Sequence, residues 1–502
     1  MKKIIKIFLG LAAVATLSSC SLYLFDSTDT TTTTVPSIPD IPDTGDGYIR
    51  YHQYDYNLQD VNASIGKINL PTTGEPRILV VPVQLKGEKS WTRSMLENLQ
   101  KGFFGSADET GWQSVSSFYE ASSYGKLKIK GDIAIPLVSS YTPSYLLAND
   151  SLGGSHRPDV YIEDEFQKSA SYDTIRKTCD TNKDGFIDST VFVYSTQISS
   201  SNGYWAWVYW GDSNASSSRP SVNSYMWVSY DFFVYNADAH YARLYAGYGS
   251  KVDAHTIIHE SGHLLGLDDY YCYDDNGWDP SGKIEMHSNN IGDENAYSKF
   301  ALGWLDPFYI NGSSPTTTIT LRSSAEYGDA ILLKNNWNKT ALDEYILIEY
   351  YTPDGMNKKD ATAKYPGNGL QMYTESGFRI YHIDARTVEL STRGEMIGYA
   401  NYSKTSNKIY IVGASNSESY SYLNSHAGDF KQVHLLEAGG TNTFKSGAAA
   451  TNATLFQTND SFTANANFFF YENKFNDGTE MGYNISVGEC SEYQGTVSIS
   501  QL

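Results

Sequence analysis

Two histidines set four residues apart constrain this chain more than any other feature. Residues 253–271 read Asp-Ala-His-Thr-Ile-Ile-His-Glu-Ser-Gly-His-Leu-Leu-Gly-Leu-Asp-Asp-Tyr-Tyr. Ile257, Ile258, Leu264 and Leu265 recur at helical spacing, so one side of a helix must be buried. Asp253 is its expected N-cap, and Gly266 its expected end, where a left-handed backbone is needed. On such a helix His259 and His263 leave the same side, one turn apart. Two neutral imidazole nitrogens then reach one Zn²⁺ at about 2.0–2.1 Å. Glu260, beside the first ligand, is placed to hold a water as general base. Asp269, just past the turn, is the expected third ligand, with Asp268 and Glu285 as alternatives. A fourth position open to water would complete a catalytic metal site. The plainer alternative is a helix with two surface histidines.

Composition bounds what surrounds this helix. At 502 residues the chain exceeds one ordinary core. Thirty-seven Lys+Arg against 57 Asp+Glu leave a net charge of −20, which argues against nucleic acid or an anionic membrane surface as the main partner. Aromatic residues reach 14%, with 40 Tyr, so there is ample surface to bury and wholesale disorder is excluded. Four Cys are too few for a disulfide-stapled scaffold.

The first residues set the compartment. Met1-Lys2-Lys3 precedes an apolar run from Ile4 to Leu17, then Ser18-Ser19-Cys20. A basic start, a short apolar stretch and small residues read as an export signal rather than a membrane span. The pattern resembles a bacterial lipoprotein signal, which implies cleavage after residue 19 and lipid on Cys20. Membrane contact is then expected only through that lipid, on an extracytoplasmic face. Residues 20–47 are Thr- and Pro-rich and read as an extended spacer.

The body divides by pattern. Arg77–Leu85 reads as a buried strand, with Pro82 marking an edge or bulge. Trp91–Phe103, Val115–Tyr124 and Val160–Thr178 have helical spacing, and Lys126–Ile135 and Val191–Tyr194 read as strands. Beyond residue 311 short strands dominate, among them Tyr345–Tyr351, Phe378–Ile383, Val433–Leu436, Asn467–Tyr471 and Thr496–Ile499. The expectation is an α+β fold: a mixed helix-and-strand unit over 48–310 that carries the histidine helix, then a β-sandwich-type region over 311–502.

The motif at 259–271 resembles the extended signature of the immune inhibitor A family of secreted bacterial zinc metalloproteases. That signature is His-Glu-x-x-His-x-x-Gly-x-x-Asp with Tyr two places on, met here by His259, Glu260, His263, Gly266, Asp269 and Tyr271. Ser117–Leu127, Asn295–Trp304, Glu344–Glu349 and Gly377–Asp384 are similar to other segments of the family. The resemblance implies a metzincin-like zinc endopeptidase acting on protein or peptide substrates, with Met286 in the turn beneath the metal. Tyr271, Tyr297 and His287 are the candidate donors to a developing oxyanion. The aromatic segment Tyr204–Trp210 reads either as a cleft wall or as core.

A second ion is expected at 180–188. Asp180, Asn182, Asp184 and Asp188 fall at positions 1, 3, 5 and 9 of a calcium-type loop, with Gly185 at 6 and the Phe186 carbonyl at 7. Position 12 is Val191 rather than Glu, so the alternative is a solvated Asp/Asn turn that needs no Ca²⁺. Two rival functions stand beside the peptidase: a non-catalytic adhesin or glycan-binding protein on a peptidase-like fold, and a zinc hydrolase acting on some other amide.

Overall fold

The computed structural model describes residues 48–50, 54–149, 151–152, 155–198, 203–211, 214–234, 252–273, 278–311, 316–417, 430–464 and 466–501. The signal at 1–19, Cys20 and the 20–47 spacer lie outside the described residues. Contacts divide the chain after Pro42, and the unit Asp43–Leu502 mixes helices with several sheets.

The first sheet runs in the order Lys130–Ile133, Arg77–Gln84, Ser189–Tyr194, Ser224–Ser229, Trp207–Trp210. All neighbours are parallel except the last, Trp207–Trp210, which pairs antiparallel and forms an edge. Arg77–Gln84 and Ser189–Tyr194, inside the sheet, are buried on both faces, which is why they read as apolar runs. Ile78, Val80, Val191, Val193, Met226 and Val228 face one core with Ile257 and Ile258. Leu79, Val81, Phe192 and Trp227 face the other with Ile162 and Phe166.

Pro82 is not at an edge, contrary to expectation. Its strand is interior, but its outer neighbours change there. Residues 77–80 pair with Lys130–Ile133 and 83–84 with Leu137–Val138. Pro82 sits in the gap between them, where a missing N–H breaks no ladder bond on that side. The helical segment 160–178 is likewise two helices, Val160–Lys168 and Asp173–Thr178, because Ser169 turns extended and starts a short 3₁₀ turn.

The second sheet has the order Tyr48–Arg50, Phe308–Ile310, Ala330–Leu333, Glu344–Tyr351, Gly377–Asp384, Val433–Leu436. Alternation splits its central strands. Leu332, Tyr345, Leu347, Tyr381 and Ile383 join the same core as Ile257, Phe300 and Trp304. The apolar core therefore runs straight across residue 310. On the opposite face Tyr350 lies against the third sheet: its hydroxyl donates to the Ser491 carbonyl, and a Cβ on Gly495 would stand 2.3 Å from its ring. That sheet is Thr317–Arg322, Gln494–Gln501, Tyr483–Cys490 and Ser461–Phe462. The strand expected at 467–471 is a series of turns instead.

Candidate metal centre

The His255–Leu265 helix is held from both ends and from behind. Gly266 ends it at φ 110°, in the left-handed region where a side chain is strained. Its N-cap is Ala254 rather than Asp253, and the Asp253 carboxylate accepts instead from the His255 backbone N–H at 2.9 Å. Behind it, Tyr119 of the Val115–Ser122 helix donates its hydroxyl to the Ile258 carbonyl at 2.7 Å.

His259 and His263 are fixed as metal ligands are. His259 Nδ1 donates to the Met286 carbonyl and His263 Nδ1 to the Leu267 carbonyl, both at 2.8 Å. Carbonyls only accept, so each Nδ1 carries a proton and each Nε2 is the ring atom turned towards Asp269. The two Nε2 atoms lie 3.2 Å apart. Asp269 Oδ1 is 2.9 Å from His259 Nε2 and 3.4 Å from His263 Nε2. Ligand atoms set tetrahedrally at ~2.0–2.1 Å from an ion are about 3.3 Å apart, so these three atoms fit such an ion. Three donor atoms this close repel unless a cation lies among them. Burial opposes charge on His263, but Asp269 outweighs it and lifts the pKa to about 10. Asp269 is held well below the carboxylate range; burial opposes this, and His263 and His259 override it.

Of the alternative third ligands, Asp268 is exposed and Glu285 is buried in the core, bonded by Asn295 Nδ2 at 3.1 Å. Asp269 is the carboxylate that reaches the pair. Its other oxygen takes the hydroxyl of Tyr273, a residue that no motif marked.

His287 does not lie in the cleft as a donor. It is fully buried behind the pair, and its ligand atom lies within 4.8 Å of theirs, so three histidines form one candidate metal cluster. Its Nε2 donates to Glu294 Oε1 at 3.2 Å, and its Nδ1 has no partner. Burial pushes this imidazole down against the pull of Glu294, so it is neutral. Gly262 makes the room: a Cβ there would stand 2.1 Å from the His287 ring. Tyr297 also misses the cleft. It is fully buried, and its hydroxyl accepts from Gln432 Nε2 at 2.9 Å.

A cleft of about 540 Å³ opens on His259 and Glu260. Trp205 and Ala206, leading into the edge strand, form part of its wall, and Tyr271 and Tyr365 form others. Burial raises the Glu260 pKa above its ordinary value, with His263 and His259 opposing. Burial and then Asp269 raise that of Tyr271, which therefore stays a hydroxyl donor.

The 180–188 loop closes on itself. Asp188 accepts from Thr181 and from the Arg77 N–H, Asp184 from the Phe186 N–H, and Asn182 from the Asp184 N–H. Asp180 Oδ2 takes the Gly185 N–H at 3.2 Å, while Oδ1 is buried without a partner. Compared with protein families and with curated proteins, the chain matches none.

Proposed function

We propose that this chain is a zinc-dependent endopeptidase, metzincin-like in its catalytic unit and held at an extracytoplasmic bacterial surface by lipid on Cys20. One observation carries the reading: two imidazoles locked by backbone carbonyls and one carboxylate offer three atoms at tetrahedral spacing, with Glu260 beside them in an open cleft. The resemblance to the immune inhibitor A signature supports it. Held by His259, His263 and Asp269, zinc would supply Lewis-acid polarisation of the scissile carbonyl and lower the pKa of a water there towards ~7.

The chain's own residues do the rest. Glu260, on the cleft side of the helix, accepts the proton of the attacking water and returns it to the leaving nitrogen. Tyr271, still protonated, donates towards the oxyanion from the cleft wall. An extended peptide pairs with Trp207–Trp210, whose outer side no described strand covers. Asp180 Oδ1 is the atom on which Ca²⁺ in the 180–188 loop rests as a proposal. Calcium is expected to raise the Tm of wild type but not of Asp180→Asn; equal shifts in both would remove it.

Metal analysis with casein cleavage tests the main reading, using Glu260→Gln. Full zinc with cleavage lost in Glu260→Gln alone is the expected result. An active Glu260→Gln overturns the mechanism. Zinc without any proteolysis favours a hydrolase of another amide, and neither zinc nor cleavage favours an adhesin.

A further inference from the structure

The histidine that opens the metal helix has no part in the metal centre, yet it is built into an unusual site. The His255 ring lies between two aromatic faces, Trp112 at 3.9 Å and 11° and Tyr365 at 4.0 Å and 21°. Its Nδ1 is 2.7 Å from Asp253 Oδ1, and its Nε2 is 3.8 Å from Asp360 Oδ1. The Tyr365 hydroxyl closes the ring of contacts by donating to Asp253 Oδ2 at 2.9 Å. Asp253 stands just before the helix, Asp360 on the Lys358–Thr362 helix; with the Tyr365 phenol, these are the titratable groups that face His255. His255 is 2% exposed, Asp253 7% and Asp360 0%. Two carboxylates buried to this depth need a cation, and a stacked imidazolium supplies it while both π-faces favour its charge.

What this cation holds is one wall of the cleft. Tyr365, Gly367 and Asn368 line it. Their turn is folded onto Tyr365: its N–H donates to the Leu370 carbonyl, Gly369 N–H donates to its carbonyl, and a Cβ on Gly367 would stand 2.5 Å from its ring. We propose that His255 is a positioning residue, which clamps the Tyr365–Asn368 wall to the first turn of the metal helix and so sets where substrate lies relative to Glu260. The inference deepens the peptidase reading and rests on it for its kinetic consequence. The protonated ring is retained well into the alkaline range. Burial opposes the charge, but Asp253 and then Asp360 lift the pKa to about 9. Substrate binding should therefore weaken as pH rises through that value, whereas the chemistry at Glu260 should not follow it.

Two measurements on the zinc-loaded chain test this. The first needs no activity. A stacked imidazolium quenches indole emission, so wild-type tryptophan fluorescence should rise with a midpoint near pH 9, and Trp112→Phe should lack that rise. A flat wild-type curve, or the same rise in Trp112→Phe, overturns the clamp. The second is peptide kinetics with His255→Gln and, should that variant not fold, Tyr365→Phe, which keeps the stack but loses the Asp253 bond. KM is expected to rise about fivefold or more, with kcat and zinc content changed much less. An unchanged KM, or kcat falling in step with lost zinc, overturns positioning. If wild type cleaves no peptide, the peptidase reading falls while the fluorescence result still decides the clamp.

Discussion

Asp269 has each oxygen committed to a different partner, one to the histidine pair and one to Tyr273. In the proposed zinc centre the phenol hydroxyl would fix which Asp269 lone pairs face the ion. Tyr273→Phe is therefore expected to weaken zinc binding by about 10- to 100-fold, measured by competition with a chelator, with little change in Tm. A variant that binds zinc as tightly as wild type would show that the hydroxyl does not orient Asp269. His259, Glu260, His263 and Asp269 were legible because helix periodicity and one glycine fix their relations within eleven residues. His287 stood out only in another role, as an oxyanion donor, and Tyr273 and the Trp112–His255–Tyr365 stack did not stand out. The stack crosses 143 residues of sequence, from 112 to 255, and leaves no periodic trace, while Tyr273 lies four residues past Asp269 in a segment with no helix or strand period to aim it. Tyr297 misled because a tyrosine near a metal motif has the same letters whether it faces water or Gln432.

Elements show the same division. Apolar runs marked Arg77–Gln84 and Ser189–Tyr194 of the first sheet and the central strands of the second, but not Ser224–Ser229 or Trp207–Trp210, and only the structure shows the latter as the antiparallel edge. Pro82 illustrates the limit: its penalty depends on a partner strand that changes opposite it. The metal helix carries a sharper case. Alanine is favoured over glycine in a helix interior by about 1 kcal/mol. At Gly262, however, an added methyl meets the His287 ring at 2.1 Å. Overpacking of this kind costs roughly 1–3 kcal/mol, so the clash outweighs the propensity. Gly262→Ala should lower Tm and displace His287 from beneath the pair, read by thermal unfolding and by zinc content. A stabilised Gly262→Ala would mean that the ring moves aside freely.

At the scale of the whole molecule, the two halves distinguished by sequence pattern share one interior. Leu332, Tyr345 and Leu347 pack in the same cluster as Ile257, Ile258 and Phe300, and Tyr48–Arg50 pairs with Phe308–Ile310 at the margin of the second sheet. A fragment ending at residue 310 loses the Ala330–Leu333 partner of that strand and takes Trp337 and Tyr345 away from Phe300. It is expected to bind a hydrophobic dye and to unfold without a cooperative transition, as followed by circular dichroism. A fragment 48–310 that melts sharply would separate the halves after all. Composition and strand count made the β-rich character of residues 311–502 visible, but pattern alone does not tell whether two sets of apolar faces meet each other or themselves.

The shared interior bears on survival as well as folding. On the proposed peptidase activity the protein is surrounded by copies of itself, and any copy with a loosened half offers extended chain to its neighbours. If the 48–310 fragment fails to melt cooperatively, as expected, a body opening all at once exposes no such half, and the proposed activity would then act on its own copies only when one has come apart completely.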